Sequence, residues 1–390
     1  MAGRILFLYL TKHSGHYAAA VAVEQALRRL SPGVETRMMD SFSHANPLLS
    51  KVTLKAYLAV LKVAPEIWES MYDNPGFKKR TKKIRDLLNR GNSRKMEKIL
   101  REFRPDVVVC TQAFACGVLA SWKQVKNLQS PALVGVLTDY VAHRYWAHDK
   151  VDLYLAPNEE PRNTLVEQGV DAARVKVHGI PVCKHYTAPV DKAAVIKALG
   201  LRPDLPKVLV MGGSLGLGPM RAVVRHLDKL PQPFDLIMVA GKNKTLARRL
   251  SRKGSQLRHR ATILGFAENV HELMDVADIV VTKPGGITTA EALIKQLPMI
   301  IINPIPGQEQ KNTAFLLAHG VAVQAKRAPD VAQYVDEFLR NPARLQRMRA
   351  AARALGRPQA AEHAAEEILR LIQLPPRPAA TVASRAVVTA

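Results

Sequence analysis

Short runs of apolar residues, each ended by a glycine-rich or polar loop and followed by a helical pattern, recur along most of the chain. The runs do not alternate with polar residues, so each predicts a strand covered on both faces, as in a parallel sheet flanked by helices. The clearest are Arg4–Leu10, Asp106–Cys110, Leu133–Leu137, Val151–Ala156, Lys207–Met211, Leu236–Ala240, Ile279–Val281 and Met299–Ile302. The pattern predicts an α/β fold.

The repeat is interrupted between Cys183 and Pro206, where three prolines surround one short helical pattern. We place an interdomain linker there, and a length of 390 residues is typical of two domains. The predicted organisation is an N-terminal domain over 1–188, a C-terminal domain over 205–373 and a disordered tail over 374–390.

The stretch Ile279–Gln296 combines a buried strand, a Pro-Gly-Gly break and a helical pattern. The predicted helix opens at Thr288 and carries Glu291 in its first turn. Unpaired N–H groups at such a helix start, beside glycines, suit a nucleotide diphosphate. Thr288-x-x-Glu291 is also the pattern of a capping box, in which Glu291 bonds only to the Thr288 backbone.

Two further loops of the second half follow predicted strands. The Gly212–Gly218 loop is of the phosphate-cradling kind but lacks the lysine of a P-loop. The strand that ends at Ile302 leads to Gln308, Glu309 and Asn312, whose side chains suit hydrogen bonds to sugar hydroxyls.

The first half has polar residues at the ends of two predicted strands. Gly15 and His16 follow the first strand, and Asp139, His143 and Trp146 lie in the loop that follows Leu137. Ligands bind at this edge of α/β sheets, and a carboxylate or a histidine there could act as a general base. The alternatives are a histidine that only lines its loop and a surface loop anchored by Trp146.

The charge is strongly positive, with 57 basic and 33 acidic residues and a net charge of +24. An anionic partner is therefore expected. Aromatic content of 5% argues against single-stranded nucleic acid. The long insertion at 41–104 joins an apolar, aromatic-tipped segment to a basic one, as in interfacial membrane-binding regions. A core helix followed by a solvated charged face is the alternative.

The three cysteines, Cys110, Cys116 and Cys183, are sparse and odd in number, which favours buried thiols in a reducing compartment. No metal-ligand cluster, secretory signal or membrane-spanning apolar run is present in the sequence. We expect a cytoplasmic protein, peripheral on the inner face of the cell membrane, that needs no metal or other cofactor.

Several segments resemble one known family. They are Thr282–Ala292, the Gly307-Gln308-Glu309-x-x-Asn312 segment, and Thr138-Asp139 with His143 and Trp146. The chain is similar to the monogalactosyldiacylglycerol synthases and the bacterial processive diacylglycerol glucosyltransferases, and more distantly to the lipid-linked muramyl-pentapeptide N-acetylglucosaminyltransferase. The resemblance covers residues 4 to 372. It implies a GT-B fold, with two Rossmann-like domains facing a central cleft.

The resemblance implies an inverting transfer of galactose or glucose from UDP-galactose or UDP-glucose to diacylglycerol. Glu291 would bind the ribose, while Phe266 and Val270 would border the uracil. The diphosphate would be held by Gly212, Gly213, Ser214, Lys283, Pro284, Gly285, Gly286, Thr288 and Thr289. The donor-sugar residues would be Gln308, Glu309 and Asn312, and the acceptor residues Gly15, Tyr140, His143 and Trp146.

One departure from the family concerns the first loop. Plant synthases carry a Ser-Asp-Thr-Gly-Gly-Gly-His type of loop, whereas Leu10–His16 reads Leu-Thr-Lys-His-Ser-Gly-His. An aspartate in that loop has no counterpart here, so either His16 or Asp139 is the expected base. The alternatives are a cell-wall N-acetylglucosaminyltransferase and a non-catalytic protein that binds anionic lipid or nucleic acid.

Overall fold

The computed structural model describes residues 3–12, 14–41, 97–254 and 256–373. These residues build two parallel six-stranded sheets, in the orders β2-β1-β3-β4-β5-β6 and β12-β11-β10-β7-β8-β9. Helices connect the strands of each sheet. The expected pair of α/β units is confirmed.

The first sheet is built from residues between Arg4 and Val177. Its strands are β1 (Arg4–Tyr9), β2 (Glu35–Asp40), β3 (Val107–Cys110), β4 (Ala132–Val136), β5 (Leu153–Ala156) and β6 (Val175–Val177). Its helices are α1 (Gly15–Leu30), α2 (Ala113–Val125) and α3 (Glu159–Glu167), with short 3₁₀ turns at Arg144–Trp146 and Ala172–Arg174. Residues 97–103 are also helical.

A 3₁₀ turn at Lys184–Tyr186 and α4 (Lys192–Ala198) lead to the second sheet. Its strands are β7 (Lys207–Met211), β8 (Asp235–Val239), β9 (Ala261–Leu264), β10 (Ile279–Thr282), β11 (Met299–Ile302) and β12 (Ala322–Ala325). The helices are α5 (Met220–Leu227), α6 (Lys244–Gly254), α7 (Val270–Val276), α8 (Gly286–Ile294), α9 (Gln308–Ala318), α10 (Ala328–Arg340), α11 (Pro342–Leu355) and α12 (Ala360–Gln373).

The central strands are buried along their whole length, as their unbroken apolar runs predict. Every residue of β3, β5, β7, β8, β10 and β11 is buried. Side chains that alternate along one strand enter separate cores, since Val208 and Val210 pack on one face while Leu209 and Met211 pack on the other. Each half therefore has a core on both faces of its sheet.

The last helix returns to the first half. Ala361, Ala364, Ala365 and Ile368 of α12 are buried with α1 and with strands of the first sheet. The division of the chain into domains at 188 and 205 stays a prediction, and this packing adds that α12 lies against the first sheet.

The two halves touch where α8 begins. A Cβ on Gly286 would lie 1.8 Å from the carbonyl oxygen of Thr138, so only glycine allows this approach. Beside it, Ile287 packs in one apolar cluster with Ala19 of α1. The contact places the carboxyl ends of β4 and β10 against each other.

The predicted start of α8 at Thr288 is wrong. The helix begins at Gly286 with Gly285 as its N-cap residue, and its first turn contains no acid. Thr288 is therefore inside the helix and Glu291 is in the second turn. Since the capping pattern needs a threonine at the N-cap position, the capping-box interpretation is also excluded.

Two sequence predictions lie outside the described residues. These are the membrane-binding role of the insertion, of which residues 42–96 are not described, and the disorder of the tail at 374–390. Among the helices that the structure describes, none has the length and apolar character needed to cross a membrane.

Candidate active site

Asp139 lies just after β4, at the junction of the two halves. Its Oδ1 accepts a hydrogen bond of 2.8 Å from Asn312 Nδ2, and its Oδ2 accepts one from Gln308 Nε2. Burial raises the pKa of Asp139 to about 6, and the charge of Glu309 adds to the rise, while the hydrogen bonds of Asn312 and Thr138 oppose it. Residues predicted for the acceptor side and for the donor sugar thus meet directly.

Asn312 makes hydrogen bonds to both halves from a fully buried position. Besides Asp139, its Nδ2 donates to the carbonyl oxygen of Pro284 at 3.0 Å. Its Oδ1 accepts from the backbone N–H of Tyr140 at 3.0 Å. A single amide therefore joins the strand-end loops of β4 and β10, which identifies Asn312 as a residue that holds the junction together.

His16 is the second residue of α1 and points toward the ends of β3 and β4. Its Nδ1 is 2.7 Å from the carbonyl oxygen of Thr111 and 3.2 Å from Thr138 Oγ1. A carbonyl oxygen can only accept, so Nδ1 carries the proton and Nε2 has the free lone pair. Burial lowers the pKa of His16, and the hydrogen bond to Thr111 opposes this only in part. The imidazole is neutral at pH 7 and its Nε2 can accept a proton.

Lys283 and Glu309 form an ion pair at the ends of β10 and β11. Lys283 Nζ is 2.8 Å from Glu309 Oε1, and the backbone N–H of Ile305 donates to Glu309 Oε2 at 2.7 Å. Both side chains are mostly shielded from solvent, with 12% and 16% exposure. The Lys283 cation, paired with Glu309, thus lies directly after β10 and one residue before Pro284.

Glu291 faces Tyr186, which lies in the segment predicted as the linker, and not the start of its own helix. Burial raises its pKa to about 8, and a hydrogen bond from Tyr186 opposes the rise in part. Burial raises the pKa of the Tyr186 phenol, and the charge of Glu291 and the same hydrogen bond add to the rise. In the unliganded protein the carboxyl group is therefore largely protonated at neutral pH.

The glycine loop after β7 is folded tightly on itself and on the next loop. Gly213 has a φ of +70°, and a Cβ on Gly212 would lie 2.3 Å from the carbonyl oxygen of Leu217. The backbone N–H of Lys242 donates to the carbonyl oxygen of Ser214 at 2.9 Å. Close backbone packing thus accounts for the glycine at 212, independently of any ligand.

Models of known protein families match both halves of the chain. Residues 16–182 match the family model of monogalactosyldiacylglycerol (MGDG) synthase, and residues 207–366 match the glycosyltransferase family 28 C-terminal domain. The two matches lie one in each half and together cover most of the chain. The resemblance inferred from the strand-end segments is confirmed.

Curated relatives match over nearly the whole chain. The processive diacylglycerol beta-glucosyltransferase of Bacillus mycoides (strain KBAB4) is 29% identical over 373 residues, which is 93% of this chain and 92% of that protein. The protein of the same name from Bacillus subtilis (strain 168) is 27% identical over 368 residues, 94% and 95% of the two chains.

Solved structures share the fold. Acinetobacter baumannii MurG superposes with a TM-score of 0.62 at 14% identity, over 94% of this chain and 99% of that chain. Anabaena Alr3699/HepE in complex with UDP-glucose gives a TM-score of 0.54 at 16% identity, over 94% and 99%. The predicted GT-B fold, a pair of Rossmann-like domains, is therefore confirmed.

Two of the predicted acceptor residues, Tyr140 and Trp146, are buried in packing. Tyr140 is 5% exposed, stacks on Phe315 with ring centroids 4.4 Å apart, and its hydroxyl is 3.3 Å from Thr289 Oγ1. Trp146 is buried in the core of the first half, with the His143 ring 6.1 Å away. Gly15, by contrast, is exposed at the start of α1.

Two predicted uracil residues of the family 28 domain lie at the rim of the second sheet. Phe266 follows β9, is 46% exposed and has Lys242 Nζ 5.9 Å from its ring centroid. Val270 is the first residue of α7 and packs partly against the core. Neither contacts Asp139, so the predicted site residues are spread along the edge of the second sheet.

Among residues 3–12, 14–41, 97–254 and 256–373, no group of three His, Cys, Asp or Glu side chains could hold a metal ion.

Sequence reasoning assigned no role to three residues of the site. Thr111 and Thr138 fix the ring of His16, and Tyr186 hydrogen-bonds Glu291 from the linker. Thr111 directly follows β3, Thr138 comes two residues after β4, and His16 comes shortly after β1. Their shared position at strand ends was the available signal. Nothing local marks Tyr186, because its role depends on how the linker packs.

Proposed function

We propose that the protein transfers glucose from UDP-glucose to the hydroxyl group of diacylglycerol, by a single inverting displacement at a membrane surface. The observation that carries the proposal is the contact of Asp139 with Gln308 and Asn312, because it brings the predicted acceptor and donor edges together. The names of the curated relatives support diacylglycerol as acceptor and favour glucose over galactose.

In this proposal, the donor lies along the carboxyl edge of the second sheet. Glu291, once ionised, accepts hydrogen bonds from the ribose hydroxyls, and its raised pKa means that UDP-sugar binding releases a proton. The N–H groups at the start of α8 and the Lys283 ammonium face the diphosphate. Positive charge and helix N–H groups stabilise the leaving UDP as the glycosidic bond to its β-phosphate breaks.

His16 is the proposed base. Its Nδ1 proton is fixed on Thr111, so Nε2 can take the proton of the attacking hydroxyl group. The oxygen of that group then forms the new bond to the anomeric carbon, and UDP departs with the electron pair. A lowered pKa keeps His16 neutral at pH 7, which is the form that a base requires. Asp139 already accepts hydrogen bonds from the side-chain amides of Gln308 and Asn312. In this proposal it positions these two donor-sugar residues and is not the base.

Transfer of N-acetylglucosamine to a lipid-linked cell-wall precursor is the second candidate. The likeness to MurG favours it only at the level of the fold, since the identity is 14%. A non-catalytic lipid-binding role would give no function to the neutral His16 ring on the first half or to the buried Glu291 carboxyl group on the second.

The deciding experiment incubates the protein with diacylglycerol vesicles and UDP-glucose, UDP-galactose or UDP-N-acetylglucosamine in separate reactions. Glycolipid products are separated and their sugar and anomeric configuration determined. We expect a β-glucosyl lipid from UDP-glucose. Product from UDP-N-acetylglucosamine alone, an α-linked product, or no product from any donor would each overturn the proposal.

A further inference from the structure

The second half has an outer surface on which nearly all charges are positive. Between residues 212 and 260 the sequence has eleven lysines and arginines and two acids, Asp228 and Asp235. This segment lies outside the basic insertion at 41–104. It therefore adds a second concentration of positive charge to the molecule.

Helices α5 and α6 carry this charge on one side of the second sheet. Val223 and Leu227 of α5 pack in the same core as Leu246 and Leu250 of α6, so the two helices cover the same face. Their outward sides, with the loops beside them, expose only basic charged residues. We define the basic face by these exposed residues, which are Arg221, Arg225, Lys229, Lys242, Lys244, Arg248, Arg249 and Arg252.

The positive charges of the basic face are not neutralised by acids of the described part of the chain. No residue of the basic face forms a salt bridge with another described residue. The two local acids are engaged elsewhere. Asp228 accepts the backbone N–H of Arg258 at 2.7 Å, and the fully buried Asp235 accepts Arg202 Nε at 2.8 Å. A face that serves only solubility mixes both signs of charge, and this one does not.

An apolar rim adjoins the basic face. Leu215, Leu217 and Phe266 are 47%, 37% and 46% exposed, and they are three of the large hydrophobic residues that the described part of the chain leaves open to solvent. Lys242 connects the rim to the helices, because its ammonium lies over the Phe266 ring and its backbone N–H donates to Ser214. Basic side chains beside exposed aliphatic and aromatic groups are typical of proteins that lie at a bilayer interface.

We propose that the basic face and its apolar rim bind the surface of a bilayer that contains anionic phospholipid. The positive charges complement the lipid phosphates, and Leu215 and Leu217 enter the headgroup region, whereas Phe266 stays at the donor edge under Lys242. A single-stranded nucleic acid fits less well, since the rim offers one aromatic ring and otherwise aliphatic groups. The inference goes beyond the proposed function, because this binding requires neither UDP-sugar nor transfer.

The test measures co-sedimentation of the full chain with vesicles of phosphatidylcholine alone and of phosphatidylcholine mixed with phosphatidylglycerol. The test variant, called the α6 variant below, combines Arg248→Glu, Arg249→Glu and Arg252→Glu. A matched control combines Lys326→Glu, Arg347→Glu and Arg353→Glu, which changes the net charge equally at exposed residues outside the basic face. If the first variant fails to fold, glutamine replaces glutamate at the same three positions.

We expect the wild-type protein to prefer the phosphatidylglycerol vesicles and the α6 variant to lose at least about tenfold in partitioning, since each basic residue near an anionic surface adds to the attraction. The control variant stays close to wild type. Equal losses of vesicle binding in both variants would assign the effect to net charge. Unchanged vesicle binding by the α6 variant would show that other parts of the chain bind the vesicles. Either outcome overturns the proposal, as does tighter binding to single-stranded RNA that the α6 variant loses.

Transfer is followed separately with a short-chain diacylglycerol that dissolves without vesicles. Activity of the α6 variant on this substrate, together with lost vesicle binding, supports the basic face as a docking surface. If transfer is absent from the wild-type protein but vesicle binding follows the expected pattern, the proposed function fails and the docking surface stands.

Discussion

The two strand-end edges that meet at Gly286 use ionisable groups in opposite ways. On the first edge, burial lowers the pKa of His16 and leaves a neutral ring with one fixed proton. On the second edge, burial raises the pKa of Glu291 to about 8 and leaves a protonated carboxyl group beside the linker. The same physical cause, loss of water, therefore prepares a proton acceptor on one half and a group that ionises upon binding on the other. We therefore expect changes at His16 to affect proton transfer and changes at Glu291 to affect donor binding.

The largest effect is expected from His16→Ala. Loss of a general base lowers kcat by about 10²- to 10⁴-fold, while UDP-glucose binding, which belongs to the other edge, changes little. Steady-state kinetics and calorimetric titration measure the two quantities. In the wild-type protein the rate should fall only at acid pH, because the lowered pKa keeps His16 neutral at pH 7. His226→Ala, a partly exposed histidine of α5, is the control. If His16→Ala weakened UDP-glucose binding and left kcat unchanged, the assignment of proton transfer to the first edge and of donor binding to the second would be contradicted.

Gly286→Ala tests whether the two edges must meet. A Cβ at this position would lie 1.8 Å from the Thr138 carbonyl oxygen, so the halves must separate. Overpacking of this kind costs about 1–3 kcal/mol, and we expect an increased radius of gyration in X-ray scattering and a turnover reduced at least about tenfold.

The neighbouring Gly285 provides a matched control for this substitution. A Cβ on Gly285 meets no atom within 4 Å, so Gly285→Ala should keep the compact form. A compact and fully active Gly286→Ala protein would show that the contact between the edges is dispensable.

Glu291→Gln tests the second edge through its pH dependence. If the ionised carboxylate binds the ribose, wild-type affinity for UDP-glucose rises with pH until about pH 8, where Glu291 is half ionised in the free protein. Above that pH the gain levels off. Glutamine has no such ionisation, so the variant should bind about tenfold more weakly, equivalent to one charge-assisted hydrogen bond, and show little pH dependence between pH 6 and 9. Titration calorimetry at several pH values is the measurement. An unchanged slope in the variant would assign the ionisation to another group.

The last prediction, Asn312→Ala, concerns the stability of the junction. The change leaves the Tyr140 N–H and the Pro284 carbonyl without the amide that satisfies both. Unsatisfied buried groups cost about 1–3 kcal/mol each, partly offset by relaxation, so we expect a loss of about 2 kcal/mol in denaturant unfolding. Asn163→Ala removes an exposed amide from α3 and serves as control. Equal stability of the two variants would contradict the junction role of Asn312.

Apolar runs in the sequence predicted strands in both sheets, four in each. Reversed, the order of the second sheet corresponds to 3-2-1-4-5-6, the arrangement of doubly wound nucleotide-binding domains, whereas β12 contains Gln324 and does not appear as an apolar run. The start of α8 was misplaced by two residues because Thr288 and Glu291 imitate a capping box. Whether Gly285 or Thr288 is the N-cap depends on the close approach of Gly286 to Thr138, which no local pattern encodes.

The sequence by itself determined the two α/β halves, the strand ends at which His16, Asp139, Glu291 and Gln308 lie, and the excess of positive charge. These follow from short-range patterns, since apolar runs specify buried strands and the carboxyl ends of parallel strands share an edge. Only the tertiary structure decided which groups meet. The tautomer of His16, the contact of Asp139 with Asn312, and the pairing of Glu291 with Tyr186 join residues far apart in the chain. Their pKa values depend on burial and on those partners, so they are properties of the assembled junction.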